Sequence, residues 1–208
     1  MSNNSTESEP APRIEALSDE IFGLALSIGS IIFIVRAPQS SSEVFGDIVE
    51  FGLSFLILVT VWLHYTSVMS VHPLETPRER FLNLLLLFFV SIEPYLLYLI
   101  SLFEHEPTSF ILDYSSNLFA LDMGGMLALL ALFTHDITIE ERRLMTLDYI
   151  RRYRRIRDSL LIGSGLFFIT VFPVFWSIRV IGRPLRFFLW PLSISVFWIV
   201  RITQTRNI

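Results

Sequence analysis

Apolar residues gather along this chain into six runs, and charged residues fall between the runs rather than on alternating faces. The runs cover roughly 20–35, 48–70, 81–103, 115–134, 159–179 and 185–202. A helix needs about 20 mostly apolar residues to cross a bilayer core. The first run begins with polar residues and extends back to about Ile14. The pattern predicts an all-α, polytopic membrane protein with six transmembrane helices per subunit. Residues 1–12 read as a disordered cytoplasmic tail and residues 13–208 as one transmembrane domain.

Composition agrees with the pattern. The chain has 208 residues, of which 52% are hydrophobic and only 17% charged. Cysteine is absent, which excludes disulfides and thiolate chemistry. The segment SNNSTESEPAP at residues 2–12 carries Glu7 and Glu9 but no Arg or Lys, so it lacks the basic region of a cleavable signal.

Charge placement sets the expected topology. All 16 basic residues are Arg. Grouping the N-tail with the loops at 71–80 and 135–158 and the C-tail collects Arg13, Arg78, Arg80, the Arg residues of 142–157, Arg201 and Arg206 on one side. The other side keeps Arg36, Arg179, Arg183 and Arg186. The excess marks the cytoplasmic side, so a multi-pass protein of the cell membrane with both termini cytoplasmic is expected. Segment 142–157 reads first as a topology determinant. It also offers anionic lipids a basic surface. It lacks a nucleic-acid-binding fold, so no nucleic-acid partner is expected.

Polar residues inside the runs carry the functional signal. The first run opens with Arg13, Ser18, Asp19 and Glu20. Hydrocarbon offers such groups no partners, so they must be satisfied within the protein or by water. Alternating direction brings Ser18 and Asp19 of run 1, Trp62 and His64 of run 2 and Asn83 of run 3 to one depth. A network of Arg13, Ser18, Asp19, His64 and Asn83, with Trp62 beside it, follows. Trp62 and His64 read alternatively as interfacial anchors.

Arg13-x3-Leu17-Ser18-Asp19 resembles the Arg-x3-Phe-Ser-Asp signature of the transmembrane-protein-175 potassium channels. Ser54-Phe55 with the later Trp62 and a nearby His is similar to that family too, as is Asn83 followed by four Leu and then Pro94. The resemblance covers about residues 13–100. It implies a potassium-permeable cation channel, with K+ as the permeant ion and no cofactor. Prokaryotic members form homotetramers in which four copies of helix 1 surround the pore without a TVGYG filter loop, and no such loop occurs here. Leu17 replaces the signature Phe, and Glu20 stands where a small residue is common. His64 follows Trp62 by two positions instead of three, which leaves His64 and Tyr65 as candidates for one role.

Helix 1 also has a readable face. Glu20, Leu24, Ser27, Ile31 and Ile34 recur at helical spacing and share a stripe. The resemblance implies hydrophobic constrictions at Leu24 and Ile31 and a pore-facing hydroxyl at Ser27. Glu20 then stands at the pore mouth. Rings of large apolar side chains gate by dewetting. An apolar stripe on a lone helix otherwise reads as bundle packing.

Glu93 and Asp122 lie deeper, in the outer half of the membrane. They read as a cation or proton site, as the lining of a vestibule, or as braces to Arg36 or Arg179, the brace being the simpler reading. Two other function classes compete with a channel. A membrane-embedded enzyme would use His64 with Asp19 as base and orienting acid, but no Gly-x-Ser-x-Gly or His-Glu-x-x-His motif is present. A proton- or cation-coupled transporter would favour internal repeats, and the two halves of the chain show no convincing one.

Overall fold

Helix ends in this chain are set by local polar chemistry more than by the edges of the apolar runs. The computed structural model describes residues 11–30, 40–71, 76–103, 109–140, 147–180, 183–193 and 195. The long helices are α1 (Ala11–Gly29), α2 (Ser41–Met69), α3 (Pro77–Phe103), α4 (Ser109–Glu140) and α5 (Leu147–Ile169). A single turn, α6 (Val174–Ser177), follows. Then comes an antiparallel hairpin of β1 (Arg179–Val180) and β2 (Arg183–Pro184), with Arg179 opposite Pro184. Residues 186–193 are helical.

The start of α3 shows the local control. Thr76 donates its backbone N–H to Glu79 Oε2 at 2.8 Å, and the Glu79 N–H returns to Thr76 Oγ1 at 3.2 Å. This reciprocal cap satisfies two otherwise orphaned donors, and Pro77 at the first helical position has no N–H to lose. Pro94 sits inside α3, where it removes one helical hydrogen bond.

Two expected boundaries are corrected. The described part of segment 135–158 is helical and not looped: α4 continues to Glu140 and α5 begins at Leu147. The fifth run does not remain one helix to residue 179, because α5 stops at Ile169. Thr170 donates its hydroxyl to the Phe167 carbonyl at 2.6 Å and accepts the Trp190 indole N–H at 3.1 Å. Pro173 cannot donate to a continuing helix, and the chain turns into α6 and the hairpin instead.

Among the described residues, two segments are long and apolar enough to cross a membrane, Pro77–Ile100 of α3 and Leu112–Ile139 of α4. Ser54–Met69 of α2 is a shorter apolar helix. Helix α4 packs most extensively on α5 and α3, while α1 lies against α3 and α2. Gly124 and Gly125 permit the close approach. A Cβ on Gly124 would stand 2.8 Å from the Phe168 ring, and one on Gly125 would stand 2.8 Å from the Phe89 ring. Small residues serve membrane helices in this way, since contact there is driven by packing rather than by water exclusion. Phe119, Phe167 and Trp190 close the other flank, with the Phe119 and Trp190 rings 4.7 Å apart.

Candidate functional site

Helix α1 has two unlike faces. Ser18, Phe22, Ala25 and Gly29 are buried against the bundle, whereas Leu17, Glu20, Leu24, Ser27 and Ile28 are exposed. Leu24 is 61% exposed, the most of the large apolar residues on α1. Leu26 is half-buried and packs on the core. The described members of the expected stripe, Glu20, Leu24 and Ser27, therefore lie on the face that the subunit leaves open. Ile31, Ile34 and Arg36 lie outside the described residues. The Ser27 hydroxyl is not loose: it donates to the Gly23 carbonyl one turn earlier, at 2.8 Å.

The buried face of α1 is tied to α2 by two side-chain hydrogen bonds. Tyr65 donates its hydroxyl to Ser18 Oγ at 2.7 Å, and both residues are buried. Trp62 donates its indole N–H to Asp19 Oδ1 at 3.0 Å. Phe22 packs beside Tyr65 with ring centroids 5.5 Å apart. Trp62 and Tyr65 are three residues apart and so share one face of α2, which is why both reach α1.

His64 stands differently. Its Nδ1 donates to the Thr60 carbonyl of its own helix at 2.8 Å. A one-residue step turns a helical side chain by about 100°, and Tyr65 takes the position that meets Ser18. Asp19 is exposed in the subunit, in contrast to the buried Ser18 beside it. Asn83 of α3 is buried, and its Oδ1 has no hydrogen-bond partner. Arg13 belongs to α1, and its side chain falls outside the described set. Of the six residues expected to form one network, the described bonds join Ser18 and Asp19 to α2 through Tyr65 and Trp62. They do not join His64 to Asn83.

A second polar centre lies deeper between α2, α3 and α4. Ser54 donates its hydroxyl to the Glu93 carboxylate, 3.0 Å from Oε1 and 3.3 Å from Oε2. Asp122 is also buried, and neither of its carboxylate oxygens has a hydrogen-bond partner. The expected braces to Arg do not form among the described residues. Arg179 is exposed on the hairpin and Arg36 is outside the description.

The buried Arg is instead Arg186. Its Nη1 donates to Asn117 Oδ1 at 2.9 Å, its Nη2 to Asp113 Oδ1 at 3.3 Å, and its guanidinium lies 4.8 Å from the Trp176 ring centroid. This clasp fastens the segment after the hairpin to the start of α4. Sequence reading missed it. The available signal was the four-residue spacing of Asp113 and Asn117, which places both on one helix face.

The fold and the apolar helices define a class, an α-helical membrane protein. Residues 13–94 match the model of the family described as the endosomal/lysosomal potassium channel TMEM175. No curated protein sequence matches the chain. Among solved structures, the chain is similar to the crystal structure of a lysosomal potassium-selective channel TMEM175 homologue from Chamaesiphon minutus. That likeness has a TM-score of 0.64 at 18% identity, and it covers 91% of this chain and 97% of that one. The likeness establishes a shared fold. The matched family and the solved relative are described as ion channels, not enzymes.

Proposed function

We propose that this chain is the subunit of a potassium-permeable cation channel of the cell membrane. Four copies set α1 on a common axis, both termini are cytoplasmic, and six transmembrane helices make up each subunit. Leu24 and Ile31 form apolar rings that narrow the path, Ser27 faces it between them, and Glu20 stands at the cytoplasmic mouth. Potassium is the permeant ion and needs no TVGYG filter.

The observation that carries this reading is the exposure of Glu20, Leu24 and Ser27 on α1, opposite a face that α2 and α3 bury. A carboxylate facing lipid costs roughly 2.5–3.5 kcal/mol at the bilayer centre and less near the interface, where Glu20 is placed, so water is still its better neighbour. The match of residues 13–94 to a potassium-channel family supports the same reading. The exposed Arg151, Arg152, Arg154 and Arg155 of α5 suit contact with anionic headgroups at the cytoplasmic surface.

Liposome flux with ion substitution tests the proposal. Leu24→Ser and Ile31→Ser should each raise cation flux, because a smaller, polar ring keeps water in the constriction. Leu26→Ser lies on the packed flank and should not. Because the chain has no cysteine, a lone Leu24→Cys should cross-link to its counterpart in the membrane. Equal flux changes at all three serine variants would leave α1 without a lumen face.

A further inference from the structure

Helix α5 changes character along one exposed face. Arg151, Arg155, Asp158, Ile162, Gly165 and Ile169 recur every third or fourth position, and all are exposed. They therefore form a single stripe. Arg154 and Leu161 flank it and are exposed too. The stripe is charged as far as Asp158 and apolar from Leu161 onward, where Leu161 and Ile162 are 50% and 56% exposed. Arg155 and Leu161 stand about 9 Å apart along the axis. That distance is comparable with the thickness of one headgroup layer.

The basic end is held in place. On its opposite face Tyr153 is buried and donates its hydroxyl to the Ser67 carbonyl of α2 at 3.3 Å. The Tyr149 ring stacks on Tyr153 with centroids 6.4 Å apart. Arg155 Nε donates to the Arg151 carbonyl at 3.4 Å, which lays its stem along the stripe. The acid of the stripe is already neutralised. Asp158 Oδ1 accepts from Arg157 Nε at 3.0 Å and from Arg157 Nη2 at 2.7 Å. Arg157 itself leans toward α4, its Nη1 donating to His135 Nδ1 at 3.3 Å. Asp158 therefore does not cancel Arg151, Arg154 and Arg155.

Topology alone asks for Arg near a membrane boundary and not for Arg on a chosen face. A nucleic acid or an acidic protein segment would meet the charged end and leave the apolar end uncovered. A second copy packed face to face would set Arg beside Arg, because subunits in one membrane share an orientation. The stripe complements a molecule in which an anion and an apolar chain are joined. Gly165 adds a notch to the apolar end, since a Cβ placed there would meet nothing within 4 Å.

We propose that this face of α5 seats one anionic phospholipid per subunit, its phosphate against Arg151, Arg154 and Arg155 and its acyl chains along Leu161, Ile162 and Gly165. The seat deepens the contact with anionic headgroups proposed above and rests on it. It does not rest on conduction, and lipid binding is read without ion flux. A protein that binds the lipid and conducts nothing would overturn the channel reading alone.

Native mass spectrometry of the full chain released from mixed nanodiscs tests the seat. The nanodiscs hold phosphatidylglycerol and phosphatidylcholine with matched chains. The wild-type protein should retain phosphatidylglycerol in preference. Arg154→Gln with Arg155→Gln should lower that retention by about tenfold, since two basic side chains at the surface are lost. Arg78→Gln with Arg80→Gln is the charge-matched control, both residues being exposed at the start of α3, and it should retain the lipid. Glycerol phosphate in solution, which has the headgroup without the chains, should not displace it. Phosphatidylglycerol should also raise the melting temperature of the detergent-solubilised wild-type protein, and not that of Arg154→Gln with Arg155→Gln. No preference in the wild-type protein, an equal loss in both double variants, or displacement by glycerol phosphate would each overturn the proposal. The first would remove the lipid, the second would leave only diffuse charge, and the third would leave a free-anion site.

Discussion

Ser18 and Asp19 are neighbours in sequence and opposites in environment. Ser18 is buried and accepts the Tyr65 hydroxyl, whereas Asp19 is exposed and accepts the Trp62 indole. Removing the buried group strands a partner, which costs roughly 1–3 kcal/mol. Removing the exposed one lets water replace it. Ser18→Ala should therefore destabilise the protein by about 1–3 kcal/mol and Asp19→Ala by less than about 1 kcal/mol, compared by thermal unfolding in one detergent. A larger loss at Asp19 would mean that assembly buries it. That Ser18 and Asp19 need partners was legible in the sequence, since polar groups at the start of an apolar run demand them. The choice between His64 and Tyr65 was not. It depends on the rotation of α2 about its axis, and alternating helix direction fixes depth but not rotation.

Helices were legible as elements, and their ends were not. Apolar runs mark the part of a helix that lies in hydrocarbon, but hydrogen bonding does not stop at the membrane surface. Helix α4 accordingly runs past its apolar stretch at both ends, and the basic segment of α5 is helical rather than looped. The Thr76–Glu79 cap has a recognisable sequence signature, whereas the stop at Ile169 relies on Thr170 reaching Trp190, twenty residues away. The α3–α4 and α4–α5 contacts make a sharper demand. Gly125→Ala would press a methyl group into the Phe89 ring and should cost about 1–3 kcal/mol. Gly165→Ala on α5 meets nothing within 4 Å and should be neutral or slightly stabilising. Melting temperatures of the two variants against the parent decide between close packing and slack at this seam.

The whole molecule shows how a sequence can announce a fold and still hide its assembly. Six apolar runs and a skewed Arg distribution suffice for the class, because both arise from the bilayer itself. The stripe of Glu20, Leu24 and Ser27 read from the sequence stays open in the folded subunit, because neighbouring helices claim Phe22, Ala25 and Gly29. The Ser27 hydroxyl adds a consequence at this scale. Its hydrogen is committed to the Gly23 carbonyl, so what it turns outward is lone-pair density alone. Four such oxygens around an axis would discriminate by sign of charge without carrying any charge, welcoming cations and giving a chloride ion no hydrogen to hold. Ser27→Ala should therefore weaken the preference for K+ over Cl−, read as a reversal-potential shift toward zero across a KCl gradient, whereas Ser27→Thr should preserve it.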